Sequence, residues 1–112
     1  MQTKATDKDL LKKILMSFKK DIRRLYPNNL NALVLYGSYA RGTAKFESDV
    51  DLLLVLNELK SPYKEITNTS TLTTDYLLKY GINISLIPTD RERFSKSDLS
   101  FYRNVRQEGV LL

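Results

Sequence analysis

A chain of 112 residues, 42% hydrophobic and 28% charged, has the size and composition of one ordinary soluble domain, with little room for a second. It has no Cys and no His, which excludes disulfides, thiolate zinc sites and histidine-ligated metals; any bound cation must be held by oxygen, which favours Mg²⁺ or Mn²⁺. A net charge of +5 suits an acidic partner without choosing among nucleic acid, nucleotide phosphates and an acidic protein surface. The start of the chain is polar and no apolar run reaches about 18 residues, so neither secretion nor membrane insertion is expected and the location expected is cytoplasmic.

Leu10, Leu11, Ile14, Leu15, Phe18, Ile22 and Leu25 recur at helical spacing. They predict a first helix from an N-cap at Thr6 or Asp7 to near Tyr26, stopped by Pro27 and Asn28-Asn29. Its Lys12, Lys13, Lys19, Lys20, Arg23 and Arg24 read as a solvated face. Leu30–Tyr36 and Val50–Leu56 are short apolar runs of the kind that form buried strands. A polar loop over 57–62 leads into a helix over 63–80 with a Thr-rich middle, and Gly81 fits the position just past its end. Residues 82–87 predict a third strand closed by Pro88, and Asp90 reads as the cap of the next helix. A terminal helix is predicted over 97–107 and ended by Gly109. The apolar tail Val110-Leu111-Leu112 then either packs on the sheet or is offered to a partner. Neither an internal repeat nor a domain linker is visible.

The stretch between the first two strands carries the chemistry. Gly37 and Ser38 follow the first strand directly, and ten residues separate Ser38 from Asp49. Positions i and i+2 of a strand share a face, so Asp49 and Asp51 project together while Val50 and Leu52 point into the core. Two adjacent carboxylates repel unless a cation lies between them, which makes the pair a candidate divalent-metal site. Gly37 lets the backbone turn tightly and approach a ligand. Its neighbouring N–H groups and the Ser38 hydroxyl are then placed to hold phosphate oxygens. Arg41 suits either a phosphate or a neighbouring carboxylate. Tyr39 reads as packing; Glu47 and Ser48 read as residues that hold the turn, with a metal role for Glu47 the lesser alternative.

Gly37-Ser38, the ten-residue gap and Asp49-x-Asp51, with Arg41-Gly42 inside the gap, resemble the defining motif of the DNA polymerase β superfamily. Within it the chain looks like the minimal nucleotidyltransferases, small proteins often paired with a HEPN-domain toxin. The motif covers residues 35–55, and beyond it the likeness is one of size and element order. The resemblance implies an α/β (α+β) fold with a small mixed β-sheet flanked by helices. It further implies metal-dependent transfer of AMP from ATP to a hydroxyl, in the antitoxin members a tyrosine of the toxin, with Asp49 and Asp51 catalytic and metal-binding and Gly37, Ser38 and Arg41 nucleotide-binding.

The pattern departs from the family at one place. A third carboxylate usually comes from a later strand, yet 81–87 contains no acid, and Asn83 or Ser85 stands where it would be. Either can hydrogen-bond a metal-bound water, but neither takes a proton at neutral pH. An active protein adenylyltransferase therefore stands beside a second expectation, an antitoxin of little turnover that neutralises its toxin by forming a hetero-oligomer. Phe101, Tyr102, Val105, Val110 and Leu111, interleaved with Arg103 and Arg106, offer such a complex a surface, with packing on the first helix as their alternative fate. Enzymes modifying antibiotics or RNA ends, and plain RNA binding, fit less well. The former generally add an acceptor domain, and the chain shows no aromatic platform for single strands.

Overall fold

The computed structural model describes residues 8–45 and 48–112, so the expected cap at Thr6 or Asp7 and the role weighed for Glu47 lie outside the described residues. In chain order the elements are α1 (Lys8–Leu25), β1 (Leu30–Tyr36), α2 (Ser38–Arg41), β2 (Val50–Leu56), α3 (Pro62–Tyr80), β3 (Ile84–Asp90), α4 (Arg91–Lys96), α5 (Ser100–Glu108) and β4 (Val110–Leu111). Four strands form one mixed sheet in the order β3-β2-β1-β4. The β1/β2 and β1/β4 pairs are antiparallel, and α3 is the crossover that makes β2/β3 parallel.

Central position explains the composition of β2. From Val50 to Leu56 every residue except Asp51 is fully buried, because helices cover both faces of the sheet. On one face Leu33, Leu35, Val50, Leu52, Leu54, Leu56 and Ile84 pack with α1 and α3. Phe18 of α1 meets Tyr76 of α3 edge to face at 5.0 Å. The Tyr76 hydroxyl donates to the Asp21 carboxylate at 2.7 Å and lies 2.9 Å from the Ser17 hydroxyl, so the two helices are joined by a satisfied polar contact as well as by burial. On the other face Val34, Leu53 and Val55 pack with Val105 of α5, flanked by Phe94 and Tyr102.

The Thr-rich α3 is helical for its full predicted length. Ser61 caps it, Pro62 occupies its first turn, and Gly81 closes it in the left-handed region with φ 70°. Thr67, Thr69, Ser70 and Thr73 donate their hydroxyls back to carbonyls three or four residues earlier, which removes the competition such side chains otherwise offer the helix.

Two boundaries differ from the sequence reading. The third strand starts at Ile84 and runs through Pro88 to Asp90; it lies at the edge of the sheet, where one side of the strand has no neighbour among the described residues, so a residue lacking an N–H is accommodated. The terminal helix predicted over 97–107 is α5, which starts at Ser100 rather than Ser97, and the shorter α4 precedes it. Asp90 caps α4 by accepting from the Arg93 N–H at 2.8 Å, extended backbone at Ser97 and Leu99 separates the pair, and α5 begins only at Ser100. The tail takes the sheet option: Val110 and Leu111 pair with Leu35 and Val34 as β4. Of the proposed surface residues, Val105 is buried in the second core and the Tyr102 hydroxyl is 2.7 Å from that of buried Thr89. Phe101, Val110 and Leu111 remain exposed.

Leu54 sits in the middle of the central strand with no exposed surface. Leu54→Ala is expected to cost about 2–5 kcal/mol, read as a lowered urea midpoint at unchanged slope.

Candidate active site

The site is built by strand register. Antiparallel pairing sets Tyr36 opposite Asp51, so the residue that leaves β1 next, Gly37, passes directly beside the Asp51 carboxylate. Gly37 adopts φ 77° and ψ −155°, a conformation open almost only to glycine. A Cβ built there would lie 2.3 Å from Asp51 Oδ2. The missing side chain is thus the space the carboxylate occupies. The chain then enters α2, a single turn in which Arg41 N–H reaches the Gly37 carbonyl at 3.1 Å and Thr43 N–H reaches Ser38 at 2.9 Å. The N–H groups of Ser38, Tyr39 and Ala40 precede the first possible intrahelical bond.

Val50 and Leu52 turn inward as predicted, leaving Asp51 half-buried on the opposite side of β2 and Asp49 exposed one residue before the strand. Burial, and after it the charge of Asp49, raises the pKa of Asp51, while Arg41 lowers it. Two carboxylates close enough to repel are an oxygen donor set that a divalent cation would relieve, so the residues present fit Mg²⁺ or Mn²⁺. No group of three potential ligands occurs among the described residues.

The two candidates for the third acidic place separate cleanly. Parallel pairing sets Ser85 beside Asp51. Asn83 lies before β3 and reaches the other carboxylate: its side-chain amide donates to Asp49 Oδ1 at 3.0 Å, and its carbonyl accepts from Val50 N–H at 2.9 Å. Ser48 holds the turn as expected, through 2.8 Å and 2.9 Å bonds with Lys45. Arg41 takes an intermediate position, near enough to Asp51 to affect its charge and 3.8 Å from Glu108 of α5, with both side chains about half exposed. An ion pair so loose and solvated holds the arginine only weakly. Tyr39 packs against the first core, and its hydroxyl is buried without a partner among the described residues.

Sequence reasoning missed Tyr36. It faces Asp51 in the register and its ring meets Phe101 edge to face at 5.4 Å. Burial, and next the Asp51 charge, pushes its pKa up to about 12, so it stays a neutral phenol in the wall of the site. Only the pairing of β1 with β2 reveals this, although its position just before Gly37 was a signal.

Residues 15–112 match the family model described as Nucleotidyltransferase domain. The chain belongs to that family. Among its relatives is a Methanocaldococcus jannaschii protein named "Putative protein adenylyltransferase", 37% identical over 101 residues that span 89% of this chain and 95% of the relative. Two crystal structures share the fold of this nucleotidyltransferase domain. One is a "putative nucleotidyltransferase" from Sulfolobus solfataricus, with TM-score 0.63, 21% identity and coverage of 88% of this chain and 76% of the other. The other is a chain of a toxin-antitoxin structure with AMP-PNP, with TM-score 0.59, 19% identity and coverage of 84% and 70%. The mixed four-stranded sheet with its helices is the nucleotidyltransferase fold.

Gly37→Ala imposes a strained φ and displaces the Asp51 carboxylate. The expected outcome is a stability loss of about 1–3 kcal/mol together with loss of Mn²⁺-dependent nucleotide binding, checked by thermal melting and by titration with a non-hydrolysable ATP analogue.

Proposed function

We propose that this nucleotidyltransferase transfers AMP from ATP to a hydroxyl on a protein, the tyrosine of a partner HEPN-domain toxin, and thereby acts as its antitoxin. The observation that carries this reading is the convergence of Gly37-Ser38 on the Asp49/Asp51 pair, with Gly37 leaving room for the Asp51 carboxylate. The acceptor class is supported by the relative named as a protein adenylyltransferase, and the partner class by the fold shared with a toxin-antitoxin structure. Exposed Phe101, Val110 and Leu111 supply apolar surface on which such a partner would sit.

In this reading the N–H groups after Gly37 and the Ser38 hydroxyl bind phosphate oxygens, and Arg41 leaves Glu108 to add charge-assisted bonds to them. Asp49 and Asp51 hold the divalent cation, which supplies charge neutralisation and alignment of the triphosphate. The acceptor oxygen attacks the α-phosphorus, the bond to the bridging oxygen breaks, and pyrophosphate leaves with that electron pair. Ser85 beside Asp51 does not take up the acceptor's proton at neutral pH, so the proton passes to water and turnover is slow. The same observation favours a second reading, in which the protein neutralises its toxin by binding alone.

Intact-mass measurement of the HEPN-type partner, after incubation with this protein, ATP and Mg²⁺, tests the reading. The expected result is a gain of AMP that the double variant Asp49→Asn, Asp51→Asn abolishes. Neutralisation without added mass by both proteins would leave the binding antitoxin. Ser85→Asp, which places an acid beside Asp51, is expected to raise the transfer rate on the order of 10²-fold, the size of a general-base contribution.

A further inference from the structure

Asp49 is the less supported of the two carboxylates. It is exposed and lies outside the β2 ladder, one residue before the strand. Unrestrained, an exposed Asp at a strand entrance samples several rotamers, and a cation bound by it must first offset that freedom. Asn83 supplies the restraint from the neighbouring chain segment at two points. Its carbonyl accepts from Val50 N–H at 2.9 Å, fixing the backbone immediately after Asp49, and its side-chain amide donates to Asp49 Oδ1 at 3.0 Å, fixing the carboxylate itself.

We infer that Asn83 is a positioning residue for the Asp49 carboxylate, distinct from the vacant acidic place beside Asp51 that Ser85 fills. The inference rests on the reading of Asp49 and Asp51 as a cation site and assigns Asn83 no contact with the cation or the reacting atoms. The chemistry of the side chain fits the task. A neutral amide orients a carboxylate by donating one hydrogen bond and leaves its full charge for the cation. A lysine or arginine there would compete with the cation as a counter-charge, and an aspartate would repel Asp49. Partners that orient a metal-binding carboxylate in this way contribute strongly to metal affinity. Asn83 is itself exposed and precedes β3, so truncating its side chain removes the amide donor while the backbone bond to Val50 and the core stay in place.

The test is Mn²⁺ binding to the full chain in the presence of a non-hydrolysable ATP analogue, followed by electron paramagnetic resonance of the free ion. Thermal melting of each variant is measured alongside. Asn83→Ala is expected to weaken Mn²⁺ binding about 10-fold at an unchanged melting temperature, and Asn83→Gln to recover part of it if its longer amide reaches Asp49. Wild-type affinity in Asn83→Ala would overturn the inference, as would Asn83→Asp binding Mn²⁺ more tightly than wild type, which would make position 83 a ligand place. Asp49→Asn separates the two levels of the argument. If it too binds Mn²⁺ like wild type, the cation-site reading itself fails. If it loses Mn²⁺ while Asn83→Ala does not, only the positioning role fails.

Discussion

The antiparallel pairing of β1 with β2 is the constraint on which the site depends. Setting Tyr36 opposite Asp51 brings Gly37 to within a side chain's width of the Asp51 carboxylate, so the glycine turn and the acid become neighbours through backbone hydrogen bonds. A slip of one residue would carry Asp51 toward the core and turn Leu52 outward, and burial of Val50, Leu52 and Leu54 on one face with Leu53 and Val55 on the other opposes that slip. The hydrophobic core thus fixes the register, and the register fixes the chemistry.

Each acid is supported differently. Asp51 stands inside the ladder between Tyr36 and Ser85, where partial burial and the nearby Asp49 make its charge unfavourable. Asp49 is outside the ladder, in water, and depends on Asn83 for its orientation. One carboxylate is held by the fold and the other by a side chain. The neighbouring Arg41 and Glu108 make a pair loose enough to open at little cost.

The ends of the motif were legible because their signals are local. The limits of β1 and β2 coincide with the apolar runs that announce them, Gly37 lies at the turn that follows β1, and Asp51 lies in β2, whereas Asp49, placed on the strand by the two-residue period, stands one residue before it. The helix punctuation at Gly81 and Asp90 was equally local, through a dihedral and a side chain that act on their own neighbours, while Ser61 and Pro62, which fell in the expected loop, cap and open α3. The start of α5 at Ser100 rather than Ser97 was not legible. Arg106 donates to the Phe94 and Ser97 carbonyls at 2.7 Å each, and Val105 packs on Val34, so α4 and α5 are held by contacts distant along the chain. Pro88 within β3 misled for a related reason, since whether proline is tolerated depends on which strand lies at the edge.

By itself, the sequence determined that the chain carries a paired-carboxylate motif after a glycine turn, that it has no thiolate or imidazole to offer a cation, and that 81–87 brings no third acid. These are facts of residue identity and short spacing, which no folding alters. Tertiary structure decided which of Asn83 and Ser85 stands beside Asp51, that Tyr36 walls the site, and that the tail closes the sheet. Asn83 and Ser85 differ by two positions in one segment, and sequence alone treats them alike. The parallel ladder with β2 sets Ser85 level with Asp51 and leaves Asn83 level with the strand entrance, where its amide meets Asp49. Cross-strand register is set by buried side chains packing across both faces of the sheet, a long-range balance that no window of the sequence contains.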